Sequence, residues 1–252
     1  MADGENMAAF SITLSFSSST SLSLYLLIDL LFLIALITSI FDRKLKSLKN
    51  FWDYSLFMKI LCISDIHHLE DMAERINNIC RREKIDVVIN AGDFLSASSA
   101  RRILDSMQTK TFVIYGNWDE KIVSNNELVS VLSNNIELFK DYYFFGVDER
   151  FMSYELIKEK ARDMPSERLI FITHHPPYGI LDLAWSGNNI GLMIYREFVN
   201  EKRPILHVFG HVHESQGVFM DGTSLFVNAA IANTKNGYIV KLPELRVTKV
   251  KL

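Results

Sequence analysis

From about residue 59 onward the chain is built of short apolar runs alternating with stretches of helical periodicity, and most runs break on a polar group. Runs at 60–63, 86–89, 111–115, 142–147, 169–173 and 205–209 have the length and composition of buried strands. Between the first two, Leu69, Met72, Ala73, Ile76, Ile79 and Cys80 recur at helical spacing over 69–84. Helices are also expected over 97–107 and 191–201. A β-α-β-α-β opening of this kind predicts a mostly parallel sheet covered by helices. Beyond His213 the pattern changes. Asp221-Gly222, between runs at 217–219 and 224–227, signals a hairpin, and 238–242 and 245–252 read as further strands. The tail is therefore expected to form a second, largely antiparallel sheet.

The residues at the strand ends carry the chemistry. The first run ends in Asp65-Ile66-His67, the second in Gly92-Asp93 and the third in Gly116-Asn117-Trp118-Asp119. The run at 169 ends in His174-His175-Pro176-Pro177, and the run at 205 in Gly210-His211-Val212-His213. In α/β sheets, ligands bind outside the carboxyl ends of the strands, so these five clusters should converge. The chain has 7 histidines, and His207, within a strand, is the one outside these clusters and His68. Asp, Asn and His without thiolates suit a divalent ion of the Mn, Fe, Co, Ni or Zn group, and argue against a structural zinc. Two residues apart in an extended segment share a side, so Asp65 and His67 can grip one ion; His211 and His213 either do the same or are splayed by the loop. Gly92, Gly116 and Gly210 are expected to permit sharp turns.

The first 58 residues differ in kind. No Lys or Arg precedes Arg43, and 22–40 is almost wholly apolar. A helix of that length spans about 28 Å, close to a bilayer core. Arg43, Lys44, Lys46 and Lys49 follow, which would place the downstream domain in the cytoplasm. The expectation is a membrane-anchored protein with a cytoplasmic catalytic domain over 59–252. A hydrophobic helix packed on the domain or a partner competes with this, because Asp29 in mid-segment is costly in lipid. So does a start at Met58 that leaves a cytoplasmic enzyme. A formal charge of -3 gives no basic grip for nucleic acid. Cys62 and Cys80 fall in periodic segments and read as small buried hydrophobes.

The ordered set Asp-x-His, Gly-Asp, Gly-Asn-x-Asp, Thr-His-x-Pro-Pro and Gly-His-x-His resembles the calcineurin-like metallophosphoesterase superfamily, from about Lys59 to Leu252. The run from Leu206 to Glu214 looks most like its small, uncapped members. The resemblance implies two facing mixed β-sheets flanked by helices, an αββα sandwich. It also implies two divalent ions, Mn foremost. Asp65, His67 and His213 would hold the first, Asn117, His174 and His211 the second, and Asp93 would bridge them. Paired cations of this kind activate a bridging water and clamp a phosphate for in-line attack. No Ser or Cys nucleophile constellation is evident, so direct attack of hydroxide on phosphorus is the expected mechanism.

This chain departs from the superfamily pattern at one position. Many members carry a proton-donating His where Trp118 stands. His68, His175 and Asp119 are the candidate donors in its place, and Asp119 could instead orient a ligand histidine. Asn117, Trp118 and Tyr178 are candidate substrate contacts. Phe94, Trp118, Tyr178 and Trp185 could stack an aryl group or a base, although aromatics more often fill cores. The expected substrate is a small or nucleotide-like phosphoester, with diesters slightly favoured. A pyrophosphatase acting on a nucleotide or lipid-linked diphosphate is the alternative, and a non-catalytic scaffold of the same fold is a weaker one. Phe94-Leu95-Ser96-Ala97 lacks the Asp and Arg that protein phosphatases carry there.

Overall fold

The computed structural model describes residues 34, 37–39, 56–67, 71–94, 96–148, 150 and 153–252. The chain divides into two compact units, Met1–Asp53 and Tyr54–Leu252. The apolar segment 22–40, with its expected helix, lies outside the described residues except at 34 and 37–39. Among the described residues no helix is long and apolar enough to cross a membrane.

The second unit holds two six-stranded mixed sheets. In the first the order is β12 (Arg246–Lys251), β11 (Asn236–Leu242), β1 (Met58–Ile63), β2 (Val87–Asn90), β3 (Lys110–Val113) and β4 (Val129–Val131). Strands β1 to β4 run parallel, and β11 pairs antiparallel with β1, Met58 opposite Leu242. In the second the order is β5 (Asn135–Phe139), β6 (Tyr142–Gly146), β7 (Leu169–Ile172), β8 (Leu206–Phe209), β10 (Leu225–Asn228) and β9 (Gly217–Met220). Here β6, β7, β8 and β10 are parallel, and β5 and β9 are antiparallel edges. Among the described residues four α-helices cover the sheets: α1 (Met72–Glu83), α2 (Ala97–Asp105), α3 (Tyr154–Ala161) and α4 (Met193–Lys202).

The period-2 alternation of each strand sorts its side chains into layers. Ile60 and Cys62 of β1, Ile170 and Ile172 of β7, and Leu206 and Val208 of β8 meet in one cluster between the sheets. Leu61 and Ile63 turn the other way, onto Met72, Ile76, Ile79 and Cys80 of α1. Leu169 and Phe171 turn onto Ile157 of α3 and Tyr195, Phe198 and Val199 of α4. The result is helices, sheet, sheet, helices, with central strands buried on both faces, as their unbroken apolar runs require. Both cysteines are buried and unpaired, and burial pushes their thiols up.

The tail departs from expectation. It forms no sheet of its own: β9 and β10 extend the second sheet beyond β8, and β11 and β12 return to close the first beside β1. A hairpin signal fixes which strands are adjacent, not which sheet they join. The sequence reading also lacks β4, β5 and α3. β4 is three residues long. α3 buries Ile157 and Ala161, a single turn of apolar spacing.

Candidate metal centre

The parallel strands β1, β2 and β3 of one sheet and β7 and β8 of the other deliver their carboxyl ends to a single locus. Asp65 follows β1, Asp93 follows β2, Asn117 follows β3, His174 follows β7, and His211 and His213 follow β8. Asp65, Asp93 and His211 all have left-handed backbone, with φ of 58°, 62° and 69°. Each costs strain that the surrounding contacts must over-determine, as is common where side chains are aimed at a ligand.

Close approach, more than turning, explains the glycines. Gly92 has φ +91°, but Gly116 and Gly210 do not have left-handed backbone. A Cβ on Gly116 would fall on the Asp93 carboxylate, and one on Gly210 on Ser64 Oγ and the Asp65 carboxylate.

Asp65 is fully buried. Its Oδ2 accepts from the His211 backbone N–H at 3.1 Å, and its Oδ1 lies 3.0 Å from His213 Nε2. His67 packs edge-on against the His213 ring at 5.2 Å. Asp93 Oδ1 accepts from the Trp118 N–H at 3.0 Å, and its Oδ2 is 3.3 Å from His174 Nε2. Asn117 Oδ1 lies 2.9 Å from His174 Nε2 and 3.0 Å from His211 Nδ1. His174 is itself anchored, its Nδ1–H donating to the Ala91 carbonyl at 2.8 Å. That bond turns Nε2 toward the carboxylates, the usual arrangement for a metal-ligating histidine.

These contacts settle the geometry of the two paired motifs. Asp65 and His67 do face one locus, although Asp65 is left-handed and the segment is not extended, so the turn rather than strand alternation brings them together. His211 and His213 are splayed, one toward Asn117 and the other toward Asp65. Ligand atoms of Asp65, His67 and His213 lie within 4.8 Å of one another, as do those of Asp65, Asp93 and His174. The carboxylate common to both groups is Asp65, whereas the resemblance gives the bridging role to Asp93. The donors are carboxylate, amide and imidazole, which fits divalent cations of the Mn-to-Zn series.

The electrostatics are those of a site prepared for positive charge. Burial pushes Asp65 and Asp93 up, but the hydrogen bond from His213 and the His174 charge outweigh it at Asp65, and the bond from His174 does so at Asp93. Both carboxyls sit below their ordinary value. Burial alone would lower His174, yet Asp93 and Asp65 raise it to about 9. His211 is pulled down to about 4 by burial and by repulsion from His175 and His174. The hydrogen bond to Asp65 raises His213 against its burial.

The candidate proton donors have different fates. His68 lies outside the described residues. Asp119 does not touch a ligand histidine. Its Oδ2 accepts from the backbone N–H groups of Asp93 and Gly116, each at 2.8 Å, and its Oδ1 from that of Phe94 at 2.9 Å. Burial and the Asp93 charge raise its carboxyl despite these donors. Asp119 therefore clamps the end of β2 to the end of β3. His175 stacks on His211 with ring centroids 3.8 Å apart. Of the candidate stacking residues, Phe94 is in the core, while Trp118, Tyr178 and Trp185 are 70%, 42% and 84% exposed. Trp118 stands 6.3 Å from the His67 ring. Glu214 accepts from the Trp185 N–H rather than holding a ligand histidine.

A supporting residue that sequence reasoning missed is Asn90, whose Oδ1 accepts from the Gly92 N–H; Asn228 supports the site too, its Nδ2 donating to the Leu181 and Val212 carbonyls. Asn90 gave a signal in principle, as a polar residue closing an apolar strand just before Gly92. Asn228 closes β10 in the same way, just before Ala229-Ala230.

Residues 58–215 match the family model for calcineurin-like phosphoesterases. A UPF0046 protein of Caenorhabditis elegans is 27% identical over 220 residues, which is 73% of each chain. The human metallophosphoesterase domain-containing protein 1 is 36% identical over 91 residues, 35% of this chain and 28% of that one. The crystal structure of TT1561 of Thermus thermophilus has the same fold, with a TM-score of 0.56 at 13% identity, covering 77% of this chain and 99% of that one. All five strand-end motifs fall within the matched span, and the two-sheet sandwich is the one those motifs require. The chain belongs to the calcineurin-like phosphoesterase family and is a hydrolase of ester bonds, a metallophosphoesterase.

Proposed function

We propose that this metallophosphoesterase hydrolyses small or nucleotide-like phosphodiesters or phosphomonoesters at a two-ion site. On this reading Asp65, His67 and His213 would hold one ion, Asn117, His174 and His211 would hold the other, and Asp93 would serve both. A bound ion pair, most readily Mn, supplies an activated water and neutralises the phosphate. The observation that carries the reading is the His174 ring. Its Nδ1–H is spent on Ala91, and its Nε2, on a fully buried ring, faces the buried Asp93 Oδ2 and the Oδ1 of exposed Asn117. Asn117 is neutral and leaves room for an anionic substrate oxygen beside the carboxylates. Exposed Trp118, over His67, offers a flat face to an aryl or base substituent of the ester.

The test is metal analysis of the purified full-length chain together with hydrolysis of a panel of aryl diesters, nucleotides and diphosphates, with and without Mn. Hydrolysis stimulated by Mn, with label from the solvent water appearing in the phosphate product after one turnover, supports direct attack. Absence of both bound metal and stimulated hydrolysis refutes the assignment. A second reading, a diphosphatase for a membrane-borne substrate, is favoured by exposed Leu183, Trp185 and Ile190 on the loop tied to Glu214, and by the apolar sequence 22–40. Activity on a lipid-linked diphosphate but not on aryl diesters selects it. On either reading the 22–40 segment tethers the enzyme to a membrane, and recovery of the full-length chain only in the soluble fraction of cells rules that out.

A further inference from the structure

The aromatic layer beneath α4 contains an imidazole. His207 of β8 is fully buried, with ring centroids 4.7 Å from Phe171, 4.9 Å from Phe209, 6.0 Å from Phe226 and 6.4 Å from Tyr195. Burial holds its pKa well below the ordinary histidine value, so it is neutral.

Its hydrogen bonds define its tautomer. His207 Nε2 lies 2.8 Å from Thr173 Oγ1, and Thr173 Oγ1 donates to the His175 carbonyl at 2.7 Å. A carbonyl only accepts, so the single hydroxyl proton of Thr173 is committed to His175. Thr173 Oγ1 must then accept from His207, which places the ring proton on Nε2. Nδ1 is left as a bare acceptor, buried, with no hydrogen-bond partner among the described residues. An unmet buried acceptor is a penalty that phenylalanine or leucine at this position would avoid.

The chain held by this pair is the point where β7 gives way to the site. The Thr173 N–H donates to the Val208 carbonyl, and the His174 carbonyl accepts from the Gly210 N–H. Here two successive histidines part: His174 turns to Ala91 and Asn117, and His175 lies against His211. The Thr173 hydroxyl supplies the third tie, on the peptide just before Pro176, and His207 determines that the hydroxyl points that way.

We propose that His207 is a positioning residue, which through Thr173 fixes the His175 backbone and so sets the stacked His175–His211 pair at the edge of the candidate metal centre. Its effect on turnover rests on the phosphoesterase reading above, whereas its effect on the two rings does not.

The test uses the full-length chain carrying His207→Phe, His207→Gln, Thr173→Val or Thr173→Ser. Gln and Ser retain a donor and a hydroxyl respectively, and serve as the rescuing variants. In metal-free protein, ring 15N–1H correlation spectra are expected to show the His175 and His211 signals moved or broadened in His207→Phe and Thr173→Val, and restored in the rescuing variants. With Mn and bis(p-nitrophenyl) phosphate, kcat is expected to fall about tenfold at unchanged KM in His207→Phe, with His207→Phe combined with Thr173→Val no worse than either single variant. Thermal stability is expected to hold or rise in His207→Phe, which separates positioning from folding. Unmoved His175 and His211 signals in both apolar variants overturn the proposal. If His207→Phe does not fold, Thr173→Val decides it. If wild-type chain shows no Mn-stimulated hydrolysis, the phosphoesterase reading has failed, and the spectra still judge this one.

Discussion

Removing the Asp119 carboxylate should unclamp the two strand ends that carry Asp93 and Asn117. The side chain is 7% exposed, so solvent offers little replacement for its bonds. Asp119→Ala strands three backbone N–H groups, those of Asp93, Phe94 and Gly116. Each buried donor left unmet costs about 1–3 kcal/mol. Some relaxation and water entry are expected, so the net loss is roughly 3–5 kcal/mol. For a domain of this size that corresponds to a fall in Tm of about 6–20 °C. Asp119→Asn should lose about half as much. Its one carbonyl oxygen can serve Asp93 and Gly116, but its amide then meets the Phe94 N–H donor to donor. Differential scanning calorimetry measures the stability of both variants, and isothermal titration with Mn measures the site. Affinity for Mn should drop at least tenfold in Asp119→Ala, because Asp93 loses the bond that fixes its backbone. A Tm within about 2 °C of wild type with unaltered Mn affinity would refute the clamp.

Gly210→Ala should weaken Mn binding by tenfold or more, because the new methyl falls on Ser64 and the Asp65 carboxylate; unchanged affinity by titration would show that the strand ends have room to spare. In metal-free protein His174 is raised from 6.5 to about 9, so the stability it contributes is complete below pH 6.5 and is lost as pH rises through about 9. The loss is on the order of 3 kcal/mol, and Tm measured from pH 6.5 to 10 should fall accordingly without Mn but not with it; a flat metal-free profile contradicts the pairing with Asp93. Trp118→Ala should leave Tm within about 2 °C, because the ring is 70% exposed, and should raise KM for aryl or nucleotide esters about fivefold. An unchanged KM removes Trp118 from substrate recognition.

The convergence of these side chains is legible in the sequence because each follows an apolar run, and strand ends of parallel sheets have one place to point. The same logic failed for roles that depend on backbone conformation. Nothing in Gly-Asn-Trp-Asp distinguishes a proton donor at Asp119 from a carboxylate turned back onto three peptide N–H groups. That distinction follows from how closely β2 and β3 approach at Gly92 and Gly116. Nor does the spacing of Asp65 and His67 reveal that Asp65 sits in the left-handed region, or that His211, rather than His213, leaves the strand by the same conformation. His207 lies within β8, where the apolar run around it places it. Its tie to Thr173 runs between neighbouring strands and has no mark in local sequence.

The distribution of donor types between the sheets explains why the site needs a cation. The first sheet contributes Asp65, His67, Asp93 and Asn117, and the second contributes only imidazoles, His174, His211 and His213. Each polar contact between these two groups crosses from one sheet to the other: His213 and His211 to Asp65, His174 to Asp93, and both His174 and His211 to Asn117. Two buried carboxylates repel one another unless positive charge lies between them, and without an ion the available charge is a proton on His174, hence its rise to about 9. If His174 holds a divalent ion, that proton would have to leave, because the same Nε2 lone pair would face the ion. Loading the site should therefore release close to one proton per protein near pH 7.5. Titrations in buffers of different ionisation enthalpy measure that number, and a value near zero would mean that His174 is neutral beforehand and that the carboxylates are compensated by some other group.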